Sequence, residues 1–190
     1  MQSMTYLALA VFLAAGPMPQ PERDRVQAHF DMTAAWLESE VKGLSGKQLK
    51  FRPDPGAWSI LDTVEHLATA EPQYWQNLRD GLSTPAEPEK KSKGTDAGML
   101  WYGIDRTQRA RTGEARTPKA RYTSLAEPMA EIRKTRQRFA ELIKTSQEDL
   151  RAHFLSDSMD CFQWLVMISA HAQRHILQIR EIKADPKFPR

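Results

Sequence analysis

From Pro21 onward the apolar side chains recur at three- and four-residue steps, the period of helices that bury one face. Val26, Phe30, Thr33, Leu37 and Val41 mark a first helix from about Pro21 to Lys42, which Gly43 and Gly46 end. The turn-rich stretch from Phe51 to Trp58 leads to Ser59, an N-cap with Asp62 three residues on, and opens a second helix to about Arg79. Ile60, Val64, Leu67, Tyr74, Trp75 and Leu78 form its apolar side, and Pro72 removes one backbone hydrogen bond and predicts a kink. Asp80 to Lys93 has no apolar period and reads as an exposed loop, followed by a short helix at about Asp96 to Arg109. Ser124 and Glu127 form a capping-box pattern ahead of a third helix carrying Met129, Ile132, Phe139, Leu142 and Ile143. The fourth runs from about Asp160 to Lys183 and stops at Asp185 and Pro186. No segment alternates convincingly as a strand, so the pattern predicts an all-α four-helix bundle.

Composition narrows what such a bundle does. A chain of 190 residues suffices for one domain with one sizeable core. The formal charge is +3, with 27 Lys and Arg interspersed among 24 Asp and Glu, which argues against nucleic acid as a partner. The most basic stretch, Arg106 to Arg121, lacks the aromatic interleaving that base stacking uses and reads as a solvated connection. The single cysteine, Cys161, excludes an intrachain disulfide. Tyr6 to Ala15 is a ten-residue apolar run, too short for a stable membrane span but long enough for a signal-peptide core, with Ala14, Ala15 and Gly16 as a cleavage site. Residues 1–20 are therefore expected to be a signal peptide or an apolar tail, and residues 21–190 the domain. An exported or periplasmic location is slightly favoured over a cytoplasmic one; the missing basic residue before the run and Pro17 after the cleavage point stand against it.

Three histidines carry the candidate chemistry. His171 and His175 lie four residues apart in the row Trp164, Ile168, His171, His175, Gln178 and Ile182, on one side of the fourth helix. That spacing puts two imidazoles about 6 Å apart at Cβ, within reach of one divalent ion. His66 on the second helix aligns with Thr63, Ala70 and Gln73, small or polar residues that leave room for an ion. Three protein ligands with one free position mark a reactive metal rather than a structural one. A single histidine beside an apolar face is more often a hydrogen-bonded core residue.

Other metal motifs fail on the same residues. Ala172 stands where a zincin has its catalytic glutamate. Neither His66, His171 nor His175 has a Glu three residues before it, as a ferritin-like di-iron site requires. Cys161 is roughly 15 Å along the helix from His171 and cannot share the ion.

The run Phe51 to Ile60, then Glu65-His66-Leu67 and Glu71, then His171-Ala172-Gln173-Arg174-His175-Ile176-Leu177-Gln178-Ile179 resembles the DinB superfamily in order and spacing, over about Pro21 to Lys183. The resemblance implies a bundle with up-down-down-up connectivity and a three-histidine site for a divalent metal, zinc or nickel. His66, His171 and His175 match those positions. It further implies a metal-bound thiolate of a low-molecular-weight thiol as nucleophile where an activity is assigned.

Two functions are expected from this: a metal-dependent enzyme, a thiol S-transferase or a hydrolase, acting through a metal-bound thiolate or water, or a non-catalytic stress-related or ligand-binding module with a structural metal. No protein nucleophile is evident, so catalytic residues stay unassigned. Glu65 and Glu71 read as surface ion-pairing residues and Gln178 as a group behind the ligands or a packing residue. His29 and His153 read as solvated histidines, and Trp36, Trp58, Trp75, Trp101 and Trp164 chiefly as core, although all but Trp36 are also candidates to line a pocket. A homodimer through helix faces stays open, since no heptad specifies it.

Overall fold

Side-chain caps open two of the four long helices. In the computed structural model, which describes residues 17–108 and 112–190, α1 (Gln20–Val41) buries Val26, Phe30, Thr33, Leu37 and Val41. Ser45 then caps a short α2 (Gly46–Lys50) by a capping box with Gln48, so Gly46 starts a helix where the sequence suggests only a stop. Ser59 and Asp62 close the expected capping box at the head of α3 (Ile60–Leu82), which carries Pro72 inside it without ending there. α4 (Asp96–Ile104) is shorter than expected, α5 (Ala126–Thr145) follows, and α6 (Cys161–Lys183) opens on a capping box between Asp160 and Gln163. α5 is preceded by Leu125 without a side-chain cap, so the Ser124 to Glu127 box does not form.

Side-chain partners fix the directions of the four long helices. Thr33 meets Ser169 and Glu40 meets Lys183, so α1 and α6 run parallel. Glu71 meets Arg136 and Trp75 meets Phe139, so α3 and α5 run parallel. The indole of Trp164 donates to the Tyr74 carbonyl while His66 faces His171, which makes α3 and α6 antiparallel. α1 and α5 are antiparallel by the Arg23 contact to the Ile143 carbonyl and the Glu38 pair with Arg133. The result is the up-down-down-up bundle.

The core is two apolar layers with a polar one between. One layer gathers around Phe30, Leu78, Phe139 and Leu165, the other around Leu37, Leu67, Ile132 and Ile176. Between them Arg136 donates to both carboxylate oxygens of Glu71 and to the Thr33 hydroxyl, and Thr33 bonds Ser169. Both charges of this pair are out of water, which is tolerated because nearly every donor finds an acceptor. Glu71 is therefore a core residue and not a surface one.

Two further departures shape the surroundings of the site. A small antiparallel hairpin, β1 (Phe154–Ser156) and β2 (Met159–Asp160), forms just ahead of α6, too short to show alternation in the sequence. At Gly103 a Cβ would come 2.7 Å from the Ala170 carbonyl oxygen, so only glycine lets α4 lie this close on α6. The apolar run Tyr6–Ala15 and its cleavage site lie outside the described residues, and among those described no helix is long and apolar enough to cross a membrane.

Replacing Glu71 by Gln leaves Arg136 buried without its counter-charge, and chemical denaturation is expected to show a loss of about 3–5 kcal/mol. The double replacement Glu71→Leu with Arg136→Met should recover most of it, because the stranded charge is gone.

Candidate metal centre

The antiparallel crossing of α3 and α6 brings His66, His171 and His175 together. One ligand nitrogen from each ring lies within 4.8 Å of the others, and all three residues are buried. Nε2 of His171 is 3.1 Å from Nε2 of His66 and 3.2 Å from Nε2 of His175. Around an ion with metal to nitrogen bonds of about 2.0–2.1 Å, ligand nitrogens stand about 3.3 Å apart at tetrahedral angles and about 2.9 Å apart at right angles. The spacing falls between those values.

The tautomers are set from behind. Nδ1–H of His66 donates to the Arg116 carbonyl at 2.8 Å, and Nδ1–H of His175 to the Gln178 amide oxygen at 2.9 Å. Both rings therefore present an Nε2 lone pair to the same point. His171 cannot satisfy both with one N–H, and its own Nδ1 is buried with no hydrogen-bond partner among the described residues. A cation answers all three lone pairs at once, so the donor set fits a divalent ion. Burial, then the neighbouring rings and arginines, holds the His171 imidazole well below its ordinary pKa and pushes His175 down to about 3. Burial lowers His66 too, against its bond to Arg116. Three neutral imidazoles are the form that binds metal.

Glu65 positions this set from further out. It is buried, and its two carboxylate oxygens accept the backbone N–H groups of Lys119 (2.7 Å) and Arg121 (2.9 Å). Ala120 between them adopts a positive φ of 54°, a conformation that costs an alanine about 1 kcal/mol. The clamp draws residues 117–121 onto α3, next to the 3₁₀ turn Glu114–Arg116 whose last carbonyl orients His66.

A cleft of about 500 Å³ opens beside the triad. Trp58, held on the turn before Ser59, stacks on His175 at 18° and 6.1 Å and lies 5.0 Å from His66. Tyr74 stands edge-on to His171 at 5.2 Å. Arg106, Arg116 and Arg174 line the opposite chemistry, with Asp54 and Glu181 the acidic residues.

The DinB superfamily matches residues 29–179. The chain belongs to the DinB superfamily. It is 23% identical over 149 residues to the uncharacterized protein YuaE of Bacillus subtilis, spanning 76% of this chain and 89% of YuaE. The solved structure of YfiT from Bacillus subtilis, described as a probable metal-dependent hydrolase with an unusual four-helix bundle topology, superposes with a TM-score of 0.57 at 17% identity, over 87% of this chain and 88% of YfiT. That likeness concerns the fold.

In this DinB-superfamily chain, all three histidines singled out by spacing meet, and Gln178 stands behind His175. Four other expectations fail. Glu65 is no surface ion-pairing residue but the clamp just described. The basic stretch is no solvated connection throughout, since Arg106, Thr112 and Arg116 line the cleft; Arg109 and Arg111 lie outside the described residues. His153 is buried and donates Nδ1–H to the Thr84 carbonyl, whereas His29 is half-buried and bonds Gln173. Trp101 is 64% exposed, and Trp58 serves the cleft. Glu65 was hidden because nearly every residue from Ile60 to Ala70 is buried, so helical amphipathicity could not mark it.

Two outcomes are expected. Below about pH 6.5 the unfolded chain takes up protons on these histidines that the folded chain refuses, so the metal-free fold loses stability as pH falls from that value toward about 3. In His171→Leu the loss of denaturation midpoint between about pH 7 and about pH 4.5 should be smaller than in the parent. Glu65→Gln weakens the clamp on the turn behind His66, and metal titration should show affinity lowered about 10- to 100-fold; an unchanged affinity would detach Glu65 from the site.

Proposed function

We propose that this protein is a metal-dependent enzyme whose nucleophile is a low-molecular-weight thiol or water, in a thiol S-transfer or a hydrolysis. The observation that carries this reading is the convergence of three neutral Nε2 atoms on one point at the wall of an open cleft. Among the described residues no fourth His, Cys or carboxylate joins the group, which favours an exchangeable position over a closed structural site. The hydrolase description of YfiT supports the same class.

When bound at the triad, a divalent ion supplies Lewis acidity and lowers the pKa of a thiol or water reaching its free position. The chain supplies the rest. The Arg116 carbonyl and Gln178 retain the Nδ1 protons of His66 and His175, so neither ring turns its N–H toward the reacting group. Trp58 and Tyr74 form apolar walls that strip water from whatever enters. Cys161 takes no part: it is buried at the far end of α6, and burial pushes its thiol up to about 12. Zinc and nickel both suit three imidazoles.

Cobalt-substituted protein tests this. Adding a small thiol such as 2-mercaptoethanol should produce a near-ultraviolet sulfur-to-cobalt charge-transfer band, absent from His171→Ala. If cobalt binds and neither thiol nor hydroxide changes its spectrum, the site is closed and the enzyme reading fails.

A further inference from the structure

The cleft holds three arginines, and they are not equivalent. The Arg106 guanidinium makes a two-pronged pair with Glu181, at 2.9 and 2.7 Å. Arg174 is spent on backbone carbonyls, those of Tyr102, Asp105 and Gln108, and lies over the Tyr102 ring. Arg116 differs. Its guanidinium sits 5.6 Å over the Tyr74 ring, and among the described residues no carboxylate pairs with it and no carbonyl accepts from it. It is half-buried, on the wall of the cleft.

Its place is fixed rather than accidental. The same residue gives its carbonyl to His66, the Glu65 clamp anchors the segment that follows it, and Tyr74 beneath it stands edge-on to His171. A cation placed beside a metal site repels the ion it accompanies. Such a charge is costly to keep unless an anion enters with the substrate.

We propose that Arg116 is a specificity-determining residue that binds a carboxylate on the substrate, holding it over Tyr74 while the reacting end of the same molecule reaches the histidine triad. The proposal rests on the metal-enzyme reading. The guanidinium fork matches a carboxylate two-pronged. One unpaired arginine, with Arg106 and Arg174 already engaged, suits a single negative charge better than a phosphate dianion. Asp54, the other acidic residue of the cleft, lies exposed on the turn before Trp58 and disfavours a second anion there. The substrate class is thus a small carboxylic acid with an apolar body that packs between Trp58 and Tyr74.

The test compares 3-mercaptopropionate and 5-mercaptopentanoate with their neutral alcohol counterparts on the full-length cobalt-loaded protein, read by the charge-transfer band. At least one acid should bind about tenfold or more tightly than its alcohol. Arg116→Gln should abolish that preference, read as the ratio of acid to alcohol affinity within the same variant, and Arg116→Lys should restore part of it. Equal affinity for acid and alcohol at both lengths, or a preference surviving in Arg116→Gln, overturns the proposal while the metal reading stands. If no thiol gives a band, thiol ligation fails while metal-bound water stays available as the nucleophile, and glutarate titration followed by the Trp58 indole NMR signal decides the Arg116 question alone. Saturable shifts lost in Arg116→Gln support the carboxylate site, and shifts that are absent or survive in Arg116→Gln refute it.

Discussion

Three imidazole lone pairs aimed at one buried point are the constraint around which this bundle is arranged. In a chain without an ion they leave each other unsatisfied, because the rings of His66 and His175 are already committed by their Nδ1 protons to Arg116 and Gln178. The surroundings hold the rings in that position. Glu65 pulls the connection behind His66 onto α3, the polar layer of Glu71, Arg136, Thr33 and Ser169 fixes the level at which α3 and α6 meet, and Gly103 lets α4 close one wall. A folded state that carries such frustration is stabilised by whatever binds it and not the unfolded chain.

Much of this was legible in the sequence, and the reasons are specific. Helix boundaries at Ser59 and Asp160 follow from N-caps that satisfy orphan N–H groups, so they survive tertiary context. The histidine pair follows from the helical period, and Gln178 from its place one turn on. The connectivity came from the resemblance carried by these motifs rather than from the period.

What stayed hidden depends on contacts between segments far apart in the chain. Glu65 looks like any surface carboxylate until residues 119 and 121 are laid against it, and Glu71 until Arg136 arrives from α5, 65 residues away. The stretch from Arg106 to Arg121 has no period, so composition alone spoke for it and gave a solvated linker. It instead supplies both the carbonyl behind His66 and the one arginine of the cleft whose guanidinium meets neither a carboxylate nor a carbonyl among the described residues. Charge on a connection says little until its partners are known.

The most direct test of a divalent metal at the triad is X-ray absorption at the metal edge, on full-length protein loaded with one equivalent of zinc or nickel. The account predicts about three imidazole nitrogens at about 2.0–2.1 Å, with a remaining position filled by oxygen or sulfur, and loss of that signal in His171→Ala. Failure to retain one equivalent, or a spectrum without imidazole scattering that is unchanged in His171→Ala, would contradict it.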